Sequence, residues 1–287
     1  MAERRAMHQR ASSRLRALAA AMVAAVLVCL AASPASAQTA TSTTGEVRDC
    51  REIMAFVKVP AEAVRKRVPS SYTLYEEVPG EASLFVRGAS CEGVKLKGRD
   101  VPTFMAQVGA VVESPDGDGC MTHGMHDFGF DQFDGDAAPY CNWYPFFVAT
   151  DNRFFAKWLR AGGLKRFPVY YTRKFKYRVT PGVLPREFAF DFSVGGAVPW
   201  PFRLRGTGVE REGALPLRVA YWTNVGSKVV KLFAEPDILL GHAEGTIDTA
   251  PGSRLSKMLG GTSTSFAGPY SLNYIVQAQL TKEVRSP

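Results

Sequence analysis

"LLGHAEGTIDT", residues 239–249, decides the class of fold. In an extended chain Leu240, His242, Glu244, Thr246 and Asp248 point one way, and Leu239, Gly241, Ala243, Gly245 and Ile247 the other, because side chains alternate across a strand. One face is polar and titratable and the other apolar. That polar face is either the solvent side of a sheet or the wall of a polar chamber inside a barrel.

Outward from this stretch the same period recurs. "CREIMAFVKV" (50–59), "ASLFVRGASC" (82–91), "TFMAQVGAVV" (103–112), "NWYPFFVAT" (142–150), "PVYYTRKFKYRVT" (168–180), "REFAFDFSV" (186–194), "LPLRVAYWTNV" (215–225) and "SLNYIVQAQLTKE" (271–283) all read as strands. Lys97-Gly98-Arg99 reads as the turn of a hairpin. Three short helices interrupt the strands: "PAEAVRKRVP" (60–69), "NRFFAKWLRAGG" (152–163) with Asp151 as N-cap, and "GSRLSKMLG" (252–260). In the second, Phe154, Phe155, Trp158 and Leu159 form one apolar face, with Gly162 placed to end it. About ten strands and three short helices predict an α+β, β-rich fold. Its large, mostly antiparallel sheet closes into a barrel with a central cavity.

The N-terminus belongs to a different category. Five arginines precede the apolar run "ALAAAMVAAVLVCLAA" (17–32) and the small-residue stretch "SPASAQ". That pattern predicts a signal peptide over 1–37, cut near Ala37, and therefore a secreted or extracytoplasmic protein. The run is short for a membrane span, so no stable membrane insertion is expected after cleavage. Residues 38–49 read as a loose N-terminal segment and 50–287 as a single domain. Removing the leader takes away five arginines and one glutamate, so the net charge falls from +8 to +4. The remaining charge is spread along the chain, which excludes the concentrated basic footprint of a nucleic-acid binder and leaves weak attraction to anionic surfaces.

Four cysteines remain after the leader: Cys50, Cys91, Cys120 and Cys141. In an exported chain they predict two disulfides, and of three connectivities we favour Cys50–Cys91, joining two strands, and Cys120–Cys141, closing a loop. That loop, "CMTHGMHDFGFDQFDGDAAPYC" (120–141), carries His123, His126 and Asp127. Two imidazoles and a carboxylate can ligate zinc. Yet no H-E-x-x-H or EF-hand spacing is present, and the glycines argue for an irregular flap. The flap is the preferred reading, with no metal and no cofactor. Neither a G-x-S-x-G elbow nor a phosphate-binding glycine loop occurs.

Polar residues that interrupt apolar rows mark candidate ligand contacts. Arg173 falls between Tyr171 and Phe175 on one face of its strand, and Arg87 stands in register with Phe85 and Cys91. A guanidinium on an internal face needs a carboxylate or a bound anion. With His242 and Glu244, these residues define an expected site for a small organic acid.

The order of elements resembles the acetoacetate decarboxylase-like superfamily, and in particular its exported branch. The resemblance is carried by "FVKVPAEAVRKRVPSSYTL" (56–74), "FVATDNRFFAKWLRAGGLKRFP" (147–168) and "GHAEGTIDTAPGSRLSKMLGG" (241–261). It implies a closed barrel with a central cavity and, in the enzyme, a lysine that forms a Schiff base with a β-keto acid. The family places that lysine directly after proline, with an acidic residue upstream. Here the matching segment reads "AGGLKRFP", with Pro168 after Lys165. The expectation is thus binding without Schiff-base catalysis. Two alternatives stand beside it: a decarboxylase- or hydrolase-like enzyme using His242 or Lys165, and a structural or surface-interaction protein with a filled core.

Overall fold

In the computed structural model the chain is described over residues 41–76, 78–115, 142–162, 164–184, 186–216 and 219–285. The expected Cys120–Cys141 disulfide, the leader and the trio His123, His126 and Asp127 lie outside the described residues. Eleven strands and three helices follow in the order β1 (Thr41–Pro60), α1 (Ala61–Arg65), β2 (Glu81–Leu96), β3 (Arg99–Val111), β4 (Asn142–Thr150), α2 (Arg153–Arg160), β5 (Val169–Tyr171), β6 (Phe175–Pro181), β7 (Glu187–Val194), β8 (Phe202–Pro216), β9 (Val219–Val225), β10 (Lys228–Thr249), α3 (Arg254–Leu259) and β11 (Ser263–Arg285).

Seven of these close a mixed barrel: β1, β2, β3, β4, β9, β10 and β11, the last returning to β1. Neighbours run antiparallel except β4 and β9, which pair in parallel. The expected β-rich closed barrel with three short helices is the observed architecture. The long strand β10 serves two partners in turn. Residues 228–234 pair with β9 inside the barrel, and residues 237–249 pair with β8. From there β8, β7 and β6 extend a second layer that ends at β6.

Alternation then builds two cores. One is the barrel interior, with Cys50 and Met54 of β1, Phe85 and Ala89 of β2, Met105 of β3, Trp143 of β4 and Tyr221 of β9. The other fills the space between the barrel wall and the second layer, where Ile53, Leu84, Val86 and Val108 meet Phe188, Phe190 and Phe192 of β7. The layers approach closely at Gly88, where a Cβ would sit 2.4 Å from the Phe192 ring. Asp49, at φ 49°, is skipped in the β1–β11 register, so Val47 and Cys50 face the same core despite their odd spacing.

Helix α2 packs Phe155, Trp158 and Leu159 onto the barrel core, while Phe154 stays 42% exposed, beneath the Arg99 guanidinium. Its N-cap is Asn152, whose Oδ1 accepts from the backbone N–H of Phe154 and Phe155. Asp151, the expected cap, instead accepts from the Phe104 N–H of β3. The expected loose segment over 38–49 also gives way from Thr41 on: residues 41–48 pair with β11 across Thr41↔Val284 to Arg48↔Gln277. Cys50 and Cys91, cross-strand neighbours on β1 and β2, are disulfide-bonded as expected. Among the described residues no helix is long and apolar enough to cross a membrane.

Candidate functional site: a buried charge cluster inside the barrel

The interior of the barrel is not hydrocarbon throughout. Glu52 on β1, Arg87 on β2 and Gln107 on β3 all point into it and are 3%, 6% and 5% exposed. Their convergence follows from register. Arg87 lies opposite Met54 on one neighbour and Gln107 on the other, and Glu52 is the diagonal neighbour two residues from Met54. Diagonal positions are within reach of long side chains. Arg87 Nη2 pairs with the Glu52 carboxylate, and Nη1 donates to Gln107 Oε1 at 2.7 Å. The guanidinium also lies 5.9 Å from the Tyr221 ring centroid.

Two donors in this interior have no partner among the described residues: Arg87 Nε and Trp143 Nε1. Both groups flank Tyr221, whose ring centroid lies 4.8 Å from that of Trp143. Burial lowers the Arg87 guanidinium from its usual value, with Tyr221 opposing. Burial raises the Tyr221 phenol, with Arg87 opposing. Arginine stays charged throughout the working range, so the cluster holds a permanent cation facing one carboxylate. Buried N–H groups without acceptors are uncommon, and each costs free energy unless an acceptor reaches it. A carboxylate with free lone pairs meets that need.

At one end of the same core stands a second buried cation. Lys282 of β11 is 2% exposed. Its ammonium donates to the carbonyls of Trp158 (2.5 Å) and Ala161 (3.2 Å) at the C-terminal end of α2 and lies 5.0 Å from the Trp158 ring centroid. Burial, helped by the charge of Lys97, pulls its amine down to about 8.

The other residues singled out by sequence are placed elsewhere. Arg173 is exposed, in the link between β5 and β6, and its Nε donates to the Tyr171 hydroxyl. The alternation that put it on an internal face breaks here: residues 172–174 are not strand, and the inward position is taken by Thr172, whose hydroxyl bonds Gly195 O. His242 and Glu244 share the outer face of β10, His242 half-buried and Glu244 exposed beside a shallow depression lined by Gly206, Thr207, Thr246 and Ser265. Arg173 lies beyond the row Phe175–Val194–Phe202–Thr249, whereas His242 sits opposite Val209 at the far end of the same strands. Arg173 and the His242–Glu244 pair therefore do not meet. Lys165 is exposed after α2. Among the described residues no three His, Cys, Asp or Glu side chains are grouped to hold a metal.

Of the sequence candidates, only Arg87 lies in the barrel interior. Glu52 and Gln107 were missed, although each interrupts an apolar row in the same way: Glu52 between Cys50 and Met54, Gln107 beside Met105.

No protein-family model matches the chain, and no curated protein does. Among solved structures it is similar to the crystal structure of acetoacetate decarboxylase from Legionella pneumophila, with a TM-score of 0.50 and 10% sequence identity over 89% of this chain and 92% of that one. The chain thus has an acetoacetate decarboxylase-like fold.

Proposed function

We propose that this is an exported protein that binds a small organic acid inside its acetoacetate decarboxylase-like barrel, without Schiff-base turnover. The observation that carries the reading is the buried Arg87, held by Glu52 and Gln107 with its Nε unpartnered and the Trp143 N–H unpartnered across Tyr221. A carboxylate would accept from those two donors, and the apolar walls at Phe85, Met105 and Tyr221 would cover its carbon skeleton. Export is supported by the N-terminal charge and hydropathy pattern and by a disulfide between Cys50 and Cys91. The absence of turnover at Lys165 is supported by its exposure, since an amine in water stays protonated and is a poor nucleophile. Nothing in the charge distribution favours a nucleic-acid partner.

The test is titration calorimetry and thermal shift with short-chain carboxylates, their amides and 3-oxo acids. Carboxylates but not amides should raise the melting temperature. Trp143→Phe, which keeps the ring and removes the N–H, should weaken binding severalfold while the fold is kept. A panel that leaves the melting temperature unchanged, with no acid carried through native mass spectrometry, would end the proposal in favour of a filled structural core.

One observation favours a second reading, a carbonyl-directed enzyme. Lys282 is a desolvated amine lowered to about 8 beside another cation, which is the condition for attack on a keto group. Borohydride reduction in the presence of 3-oxo acids decides between the two. An adduct on Lys282 establishes the enzyme, and an unmodified chain supports binding alone.

A further inference from the structure

The β6–β7 hairpin ends in an apolar tip that no other part of the described fold covers. Val183 is 97% exposed and Leu184 61%. Val209 of β8, opposite Glu187 at the base of this tip, is 42% exposed. Three of the exposed large apolar side chains are thus gathered at one end of the second layer. The tip is nonetheless held in shape. Gly182 N–H bonds Glu187 O, Glu187 N–H bonds Leu184 O, and the Glu187 carboxylate accepts from Leu184 N–H. Arg186 O at its shoulder accepts from the Glu210 N–H of β8.

Charge surrounds this tip unequally. Between residues 173 and 194 the sequence holds five cations (Arg173, Lys174, Lys176, Arg178 and Arg186) and two anions (Glu187 and Asp191). All five cations are exposed. Of the anions, Glu187 is turned into the hairpin turn, and Asp191 is bound by Arg203 through two hydrogen bonds. At about 3.3 Å per residue, Arg178 stands within roughly 15 Å of Val183 along the strand, and Arg186 follows it at once. An apolar point with a basic collar is complementary to an anionic lipid surface, where apolar side chains enter the headgroup region and cations meet the phosphates. Two or three side chains expose far less than the roughly 800 Å² per partner that a stable protein interface buries, so a second copy fits the tip poorly.

We propose that the β6–β7 hairpin tip docks the protein peripherally on an anionic lipid surface, with Val183 and Leu184 as the inserted residues and Arg178 and Arg186 as the phosphate contacts.

The probe is the chain from Gln38 onward, which contains the whole compact unit and omits the apolar run of the leader. It is sedimented with phosphatidylcholine vesicles, with and without phosphatidylglycerol. The expected result is binding at least tenfold stronger to the anionic vesicles, weakened by salt. It should be reduced at least tenfold in Val183→Asp/Leu184→Asp, whose far-UV and near-UV dichroism stay those of the unaltered protein. A Leu184→Trp variant should shift its added emission to the blue on anionic vesicles only. Three outcomes overturn the proposal: a chain that stays in the supernatant with both vesicle types, a double variant that sediments like the unaltered protein, or self-association in solution that the double variant abolishes.

Discussion

Arg87 and Lys282 show how this chain manages two buried cations by different means. Arg87 has a formal counterion, Glu52, and a neutral acceptor, Gln107. Removing one member of a buried pair leaves the other charged and unpaired, which typically costs about 3–5 kcal/mol, whereas replacing both by apolar residues is often close to neutral. Arg87→Met should therefore lower stability by about that amount in urea unfolding, and Arg87→Met/Glu52→Met by clearly less than the sum of the two single changes. Additive losses would mean that the two groups do not act as a pair. Lys282 has no such counterion and relies on the dipoles of two carbonyls at the end of α2. Its folded-state value, about 8, lies below the usual lysine range. Across pH 8 to about 10 the unfolded chain then holds a proton that the folded chain has released, and stability contributed by this group rises with pH. The gain is on the order of 2–3 kcal/mol across the full window. It is checked by comparing urea midpoints of the unaltered protein and Lys282→Met over that range. Tyrosines and the other lysines titrate alike in both, so the difference isolates Lys282, and parallel midpoints would refute it.

At the scale of elements, strands were legible and their breaks were not. The period-two pattern located β1 to β4 and β7 to β11, because each buries one face or both and a half-buried strand must alternate. The same rule misled at Arg173, where the link of residues 172–174 interrupts the strand and returns the chain to solvent out of phase. It also passed over Glu52 and Gln107. Each is a lone polar residue in an otherwise apolar row, and only the pairing of β1, β2 and β3 shows that the three rows meet at Arg87. Register is a property of two strands together and is not written in either one. The disulfide is an element-scale feature too, since Cys50 and Cys91 tie β1 to β2 with 41 residues between them. In the chain-entropy description a bridge over that span stabilises by about 4 kcal/mol. Cys50→Ala/Cys91→Ala should therefore shift the urea midpoint downward by up to that equivalent, with the barrel still formed because β1 and β2 pair over fourteen further registered positions at most. An unchanged midpoint would show that strand pairing alone already restricts the unfolded chain at this point.

For the whole molecule the decisive feature is that β10 and β11 belong to two structures at once. Residues 228–234 of β10 complete the barrel, residues 237–249 carry the second layer, and β11 follows β10 through both. A domain whose two cores share continuous strands cannot lose one core without fraying the ladder that closes the other, so both should melt in a single transition. The four tryptophans report on this directly. Trp143 and Trp158 lie in the barrel core, and Trp200 and Trp222 in the core between the layers. Two variants, one keeping only the first pair and one only the second with phenylalanine at the replaced positions, give fluorescence from one core at a time. Trp222→Phe removes the donor to Asn142 Oδ1, so the first variant should be the less stable of the two. The comparison is therefore made within each protein, between its tryptophan emission and its far-UV dichroism. The expected outcome is one midpoint for both signals in each variant. An emission change that precedes the loss of dichroism in the Trp200/Trp222 variant would mean that β6, β7 and β8 peel away from an intact barrel, and that the shared strands do not couple the two cores.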